Sequence, residues 1–548
     1  MQVPETPAGG SRPGILVILW ALVGCLFVAW LVWRKSGPAA PAPVALPTGT
    51  AALPASGSTN AEPVNEYQLG ELRARQYCST CHFFPEPSVL DKVTWGMEVL
   101  PEMAKWLGMS DISYEELRLE PRLKAANIVP KVPLMSIEEW RAICTYYLST
   151  APQETAPQKP RPPIEVGLKQ FDVFRPSFQT TQTVTMVKID PPNKRIFVGI
   201  ERDTTIRILS AAGTEIASAG LPSAPVELIQ EDGDMYVLTI GSYLPSDTPL
   251  GKLVKLGPPK EGGGGMVQLI DELQRPVDMA LGDLNGDGRK DFVVCGYGNY
   301  LGAFSWFEAL PNGKYVEHPL MERPGAVKAE LHDFNKDGHL DIVALFAQAR
   351  EGLYLFMNDG KGGFDQTPIA EWHSAWGSSF LELVDFNKDG ALDILVTNGD
   401  NGDNTGHLPP MKNFHGIRLY LNNGKNQFKE EWFFPINGVF KAVARDFDED
   451  GDLDIASISF YPDYRKSPRE SFLYLENRGG MKFEVHSFEE AFSGRWLVMD
   501  VGDIDGDGDL DIVLGAFNDG PTYVPHLLRQ RWAEVGPAFL YLKNTLKK

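Results

Sequence analysis

Hydropathy changes character several times along the chain. From Gly14 to Trp33 no residue is charged, with Arg12 before the run and Arg34 and Lys35 behind it. Twenty such residues are enough to cross a bilayer core as a helix. The basic pair directly after the run, and its continuation past Cys25, favour an uncleaved anchor over a signal peptide or a lipoprotein-type cleavage box. Beyond the short segment 1–13 and this anchor, residues 34–63 are rich in Pro, Ala, Ser and Thr, the composition of a semi-rigid spacer. Residues 64–150 follow a helical pattern, from a helix over Tyr67 to Tyr77 to a last one opened by the capping-box signature Ser136 to Glu139. Prolines 152, 157, 160, 162 and 163 mark a second linker over 151–168. From 169 to 548 the chain reads as short apolar strands between Gly, Asn and Asp turns.

That last region repeats. Asp283, Asn285, Asp287 and Asp291 hold positions 1, 3, 5 and 9 of a loop with Gly288 at position 6. The frame returns at Asp333, Asn335, Asp337 and Asp341, and at Asp385, Asn387, Asp389 and Asp393. It returns again at Asp446, Asp448, Asp450 and Asp454, and at Asp503, Asp505, Asp507 and Asp511. Successive first positions lie 50, 52, 61 and 57 residues apart. A period near fifty that holds four strands is a propeller blade. Each repeat runs strand, Asp loop, strand, strand, an Asn-x-Gly turn such as Asn422 to Gly424, and a fourth strand placed here as ending near Phe428. Two weaker copies, at 184–209 and 226–242, bring the count to seven. The expected fold is mainly β: a seven-bladed β-propeller behind a small all-α domain and one transmembrane helix. The repeats resemble FG-GAP or VCBS propellers, the fold of integrin α-chain heads.

Oxygens at positions 1, 3, 5 and 9, with a backbone carbonyl at 7, suit a hard cation, and Ca²⁺ tolerates such irregular cages better than Mg²⁺. An EF-hand needs Glu at position 12, where this chain has Val294, Ala344, Val396, Ser457 and Leu514. Up to five structural Ca²⁺ ions are therefore expected, pinning blade corners.

Cys78, Cys81 and His82 stand in a C-x-x-C-H frame. That spacing lets two thiols add across the vinyl groups of one haem and leaves His82 as proximal ligand, a covalent haem c site. A zinc site needs a second pair, yet Cys25, Cys144 and Cys295 stand alone, and no βαβ pattern supports a thioredoxin-like pair. The order of haem motif first and an aromatic helix ending at Tyr146, Tyr147 and Leu148 last resembles small class I c-type cytochromes. The whole chain resembles a bacterial membrane-anchored fusion of a mono-haem cytochrome domain with an FG-GAP/VCBS propeller. In such haem-propeller proteins a Trp, a Val-Leu-Pro-x-Met run and a Leu-Gly pair follow the haem motif. Trp95, Val99 to Met103 and Leu107-Gly108 match, which implies Met103 as sixth ligand. Met97 and Met109 are nearby thioethers, and Met135, just before the terminal helix, is the placement conventional class I cytochromes imply.

A net charge of -21 argues against a nucleic-acid partner. Five cysteines, two of them in the haem frame, are too few for a disulfide framework. Because covalent haem attachment in bacteria takes place outside the cytoplasmic membrane, the expected location is the inner membrane, single-pass, with the bulk periplasmic. The expected function is one-electron transfer, the propeller recognising a redox partner protein or substrate. The alternatives are a propeller-based dehydrogenase that passes electrons to the haem, and a non-enzymatic calcium-dependent binding or adhesion propeller. No serine elbow or zinc motif argues for hydrolysis. Loops 399–416, 461–470 and 518–532 should load one face with polar and aromatic groups for a carbohydrate, a small organic ligand or a partner. His415, Asp463 and Asn518 are expected to bind there without supporting stability.

Overall fold

Runs such as Ile394 to Val396, apolar at every position, are what a strand sandwiched between two neighbouring sheets requires. The computed structural model describes residues 65–109, 121–126, 128–257, 265–402 and 410–547. The expected anchor, spacer and Cys25 lie outside the described residues; among those described, no helix is long and apolar enough to cross a membrane. Seven antiparallel four-stranded blades follow in chain order, so the chain is a seven-bladed, mainly β propeller. The second strands Asp291–Gly296, Asp341–Phe346, Asp393–Asn398, Asp454–Ser459 and Asp511–Ala516 are buried at every residue. Outer strands such as Tyr315–Met321 are largely exposed. The outer strand placed as ending near Phe428 instead begins there, as Phe428–Pro435. The weak copies are blades too, the first completed by Glu215–Gly220 and the second by Gly251–Leu256 and Met266–Leu273.

The ring closes through residues far apart in sequence. Phe171–Phe174 supplies the outer strand of the seventh blade, antiparallel to Phe539–Asn544 with Phe171 opposite Asn544. Ile164–Val166 adds a fifth strand to the sixth blade, parallel to Phe483–Ser487. The end of the Pro-rich stretch is thus part of the sheet rather than free linker. Phe171 is buried against Phe447 and Tyr474, with ring centroids 5.8 and 5.6 Å away.

Around the axis, acids on the first strand of one blade accept a backbone N–H from the first strand of the next. Asp278 takes Ala329 N at 2.9 Å, Glu330 takes Leu383 N at 3.1 Å, Glu382 takes Ala444 N at 2.8 Å and Asp500 takes Ile189 N at 2.7 Å. Lys328 neutralises Asp278 at 2.7 Å. Hydrogen bonds to charged acceptors contribute about 1.5–3 kcal/mol each, so the axis is tied by directed polar contacts as well as by burial.

The helical part rests on helices Glu66–Cys78 and Ile137–Thr150, each opened by a capping box, Asn65 with Gln68 and Ser136 with Glu139. They cross closely at Gly70, where a Cβ would stand 2.0 Å from Ala142 O. Trp95 and Tyr147 fill the space beneath, 4.3 Å apart, with their polar tips on Pro87 O and Pro85 O.

Truncating the closing strand where it is buried should be costly. Phe171→Ala is expected to lower unfolding free energy by about 3–5 kcal/mol, and Val173→Ala, at a position 39% exposed, by less than about 1 kcal/mol. Denaturant titration of the two variants measures the contrast.

Candidate functional sites

Helix Glu66–Cys78 ends in a turn held by Thr80, whose N–H and hydroxyl both donate to Tyr77 O, at 3.2 and 2.7 Å. This turn brings Cys78, Cys81 and His82 together at the helix end. His82 Nδ1–H donates to Phe83 O at 2.8 Å, since a carbonyl can only accept. That fixes the tautomer and leaves the Nε2 lone pair free for a metal. Both cysteines are free thiols. Burial pushes the Cys78 thiol up to about 11, the reverse of the lowered value of a redox-active pair. Two thiols and an imidazole with Nε2 free are the donor set that a covalently held haem c would use. Of the thioethers, Met97 is 64% exposed and Met135 is buried in the helical core with Leu107, Trp95 and Tyr147. Met109 packs against that core, while Met103, on helix Leu100–Trp106, is half-buried and outside it.

The helical part sits on the propeller face formed by connections between second and third strands and between blades. Trp106 meets Tyr300 edge-on at 5.1 Å. The Tyr300 loop is held by buried Asp247, whose Oδ1 accepts Asn299 N, Tyr300 N and Leu301 N at 3.2, 2.7 and 2.7 Å. Phe83 lies 6.0 Å from the Arg350 guanidinium. Burial, with Arg350 adding to it, lowers the His82 pKa. Burial, then Lys412 and His82, lowers His373 to about 4. Asp247, Tyr300, Arg350 and His373 went unnoticed in the sequence because no spacing links them to the haem frame.

The same face is covered further by residues 155–161. Thr155 Oγ1 donates to Met411 O at 2.9 Å, Gln158 Nε2 donates to His415 O at 3.1 Å, and Arg161 pairs with Glu470. Of the three residues assigned to ligand binding, His415 is buried, Asp463 accepts from Arg465 N and Lys466 N, and Asn518 bridges Arg495 N and Gln182. Residues 403–409 of the first loop lie outside the described residues.

The Asp loops stand on the opposite face. At position 6 Gly288, Gly338, Gly390, Gly451 and Gly508 have φ of 82, 91, 86, 96 and 94°, a region that favours glycine. Position 9 holds backbone. Asp291 gives one oxygen to Leu284 N and the other to Ala309 N, at 2.9 and 2.8 Å; Asp341, Asp393 and Asp511 do the same in their blades. Asp454 holds Asn477 N and the Tyr474 hydroxyl. These carboxylates join the loop to the third strand. The remaining positions separate by composition. Asn335 and Asn387 donate an amide to Asp337 and Asp389, and Arg289 folds onto Asp287. The sixth and seventh blades carry Asp at position 3, which has no donor. Asp446, Asp448 and Asp450, and Asp503, Asp505 and Asp507, therefore bring carboxylate oxygens within 4.8 Å of one another. Asp446 Oδ1 and Asp505 Oδ1 are buried without a hydrogen-bond partner, as a cation site requires. In the two degenerate loops a side-chain cation stands at the corner, Arg195 beside Asp190 at 2.6 Å and Lys255 beside Asp234 at 2.5 Å.

Removing the carboxylate that shapes the docking loop should loosen that loop alone. Asp247→Ala is expected to speed amide exchange at Asn299, Tyr300 and Leu301 by about tenfold or more and to leave the Asp-loop amides unchanged, as read by hydrogen-exchange mass spectrometry.

Comparison with known proteins finds the FG-GAP-like repeat at residues 333–396 and 446–514. The T-cell immunomodulatory protein homolog of Plasmodium falciparum (isolate 3D7) is 32% identical over 81 residues, 14% of this chain and 11% of that protein. The chain therefore spans a small fraction of that relative's length. Among solved structures, the Neurospora crassa Pan2 WD40 domain aligns at 11% identity over 70% of this chain and 98% of its own, TM-score 0.43. Saccharomyces cerevisiae Sqt1 aligns at 9% identity over 68% and 97%, TM-score 0.40. The chain carries FG-GAP-like repeats within a seven-bladed β-propeller.

Proposed function

We propose that this chain is an exported, membrane-anchored one-electron carrier whose propeller recognises a redox partner. The observation that carries the proposal is the C-x-x-C-H turn, with free thiols at Cys78 and Cys81 and a His82 imidazole whose Nδ1–H is already committed to Phe83 O. A covalently held haem c would supply the one-electron chemistry. Cys78 and Cys81 would hold it through thioether bonds, His82 Nε2 would be the proximal ligand and Met103 the sixth. Met135 is less suited because its thioether is spent on the helical core. Phe83, Trp106 and Tyr300 would keep water from this side of the helical part, and Arg350 would contribute positive charge beside it. Produced in a bacterium competent for c-haem maturation, the full chain should retain haem after acid-organic extraction. Met103→Ala should lose the far-red band of thioether-ligated ferric haem. Met135→Ala should keep the band and lose about 2–5 kcal/mol of stability. Persistence of the band in Met103→Ala, or no covalent haem at all, would remove the proposal.

The same reading gives the Asp loops Ca²⁺. Side chains 1, 3 and 5 would hold the ion while position 9 anchors the loop, with the sixth and seventh blades the best sites and Asp283, Asn285, Asp287 and their counterparts at 333–337 and 385–389 weaker ones. An ion at 100 times its Kd adds about 2.7 kcal/mol per site. Chelation should thus lower the unfolding midpoint, and Asp448→Asn with Asp505→Asn should remove most of that response in calorimetry. A second reading, a calcium-dependent binding propeller without a redox role, is favoured by the FG-GAP-like repeats themselves, and it becomes the better one if no haem is attached.

A further inference from the structure

The outer edge of the sixth blade gathers four ionisable side chains on one sheet face, with Glu476 close enough to the Asp448 loop to feel its charge. Glu484 and His486 are two apart on strand Phe483–Ser487 and therefore point the same way. Glu476 lies directly opposite Glu484 on strand Phe472–Asn477, and Glu165 lies opposite His486 on Ile164–Val166. His486 Nε2 is 3.0 Å from Glu476 Oε2 and 3.9 Å from Glu484 Oε2, and its Nδ1 is 3.9 Å from Glu165 Oε2. The three donor atoms of Glu476, Glu484 and His486 lie within 4.8 Å of one another.

Two features separate this group from an ordinary ion-pair network. The His486 side chain is only 3% exposed, yet its Nε2 makes no hydrogen bond despite the oxygen 3.0 Å away. The ring is close enough but wrongly aimed, which is how donors stand when they converge on a common point rather than on each other. Second, that point has a substitute cation. Lys169 Nζ lies 3.2 and 3.6 Å from the same two oxygens, Glu476 Oε2 and Glu484 Oε2, on a side chain 57% exposed and free to leave. Arg478 takes Glu476 through the other oxygen, at 2.8 Å, and shares Glu484 Oε2 at 2.6 Å, so it need not move far.

We propose that Glu476, Glu484 and His486 form a Zn²⁺ site, with the Lys169 ammonium as the internal competitor that a bound metal displaces. One imidazole and two carboxylates suit zinc better than calcium. Donors around tetrahedral zinc are about 3.3 Å apart, between the two imidazole-to-carboxylate distances seen. The fourth position falls to water, and Glu165 stands where a carboxylate orients the ligating ring. The bound ion would clip the fifth strand, and with it the segment leading to the helical part, onto the sixth blade.

The test is calorimetric titration of the full chain, saturated with Ca²⁺, with ZnCl₂ alone. One zinc equivalent is expected to bind. His486→Gln should weaken it at least a hundredfold, and Lys169→Met should tighten it about tenfold by removing the competing ammonium. Glu484→Gln changes a half-exposed residue, leaves the fold intact, and should also erase the visible tetrahedral spectrum of Co²⁺ placed in the site. Zinc affinity unchanged in His486→Gln and Glu484→Gln, or unchanged or weakened in Lys169→Met, overturns the proposal and leaves an ion-pair network only.

Discussion

A buried carboxylate that begins the second strand and grips the third recurs in five consecutive blades. Asp291, Asp341, Asp393 and Asp511 each take one N–H from the loop and one from the third strand, and Asp454 takes Asn477 N and the Tyr474 hydroxyl of the third strand. Burying a charge this deeply is costly, and burial raises Asp454 to about 7 and Asp511 to about 6. The hydrogen bonds offset that cost only if the loop backbone is folded so that both N–H groups converge. One residue therefore dictates the shape of the loop, the register of three strands and the direction in which positions 1, 3 and 5 point.

With the corners fixed, what remains on each face follows. The Asp loops crowd acid on one side, and the chain relieves the crowding in two ways: amides at Asn335 and Asn387, and an arginine or lysine at Asp287, Asp190 and Asp234. In the last two blades three carboxylates face one another, with Lys543 3.4 Å from Asp505. On the other side the helical part meets the short connections, Trp106 on Tyr300 and Phe83 beside Arg350, while residues 155–161 tie down two of the longer ones through Thr155 on Met411, Gln158 on His415 and Arg161 on Glu470. Two of the three loops that look most like a binding surface in the sequence thus carry contacts from residues 155–161.

That interface changes the meaning of the Pro-rich segment. Proline removes N–H donors and favours extended backbone, so it resembles a linker whether it hangs free or lies along a surface. Here residues 155–174 lie along the fifth blade, add a strand to the sixth and complete the seventh. The helical part and the propeller are joined by a path that is packed for most of its length.

The residue order by itself determined the blades and the loops, because local rules set both: near-continuous apolar runs make sandwiched strands, and Gly at position 6 with Asp at 1, 5 and 9 closes one turn shape. The C-x-x-C-H frame was legible for the same reason, its residues being neighbours in one turn. The weak first two blades were found by their strand pattern, though the fourth strand of the first and the third and fourth of the second carried too little periodicity to place. Only the tertiary structure decided that Phe171 closes a ring against Asn544, that Asp247 shapes the loop meeting Trp106, that Asp291 and its counterparts hold backbone, and that Glu165, Glu476, Glu484 and His486 share a face. Most of those partners lie on different strands or loops, many of them far apart along the chain. A side chain's neighbours at that distance depend on how sheets stack and how the ring closes, which no local spacing encodes.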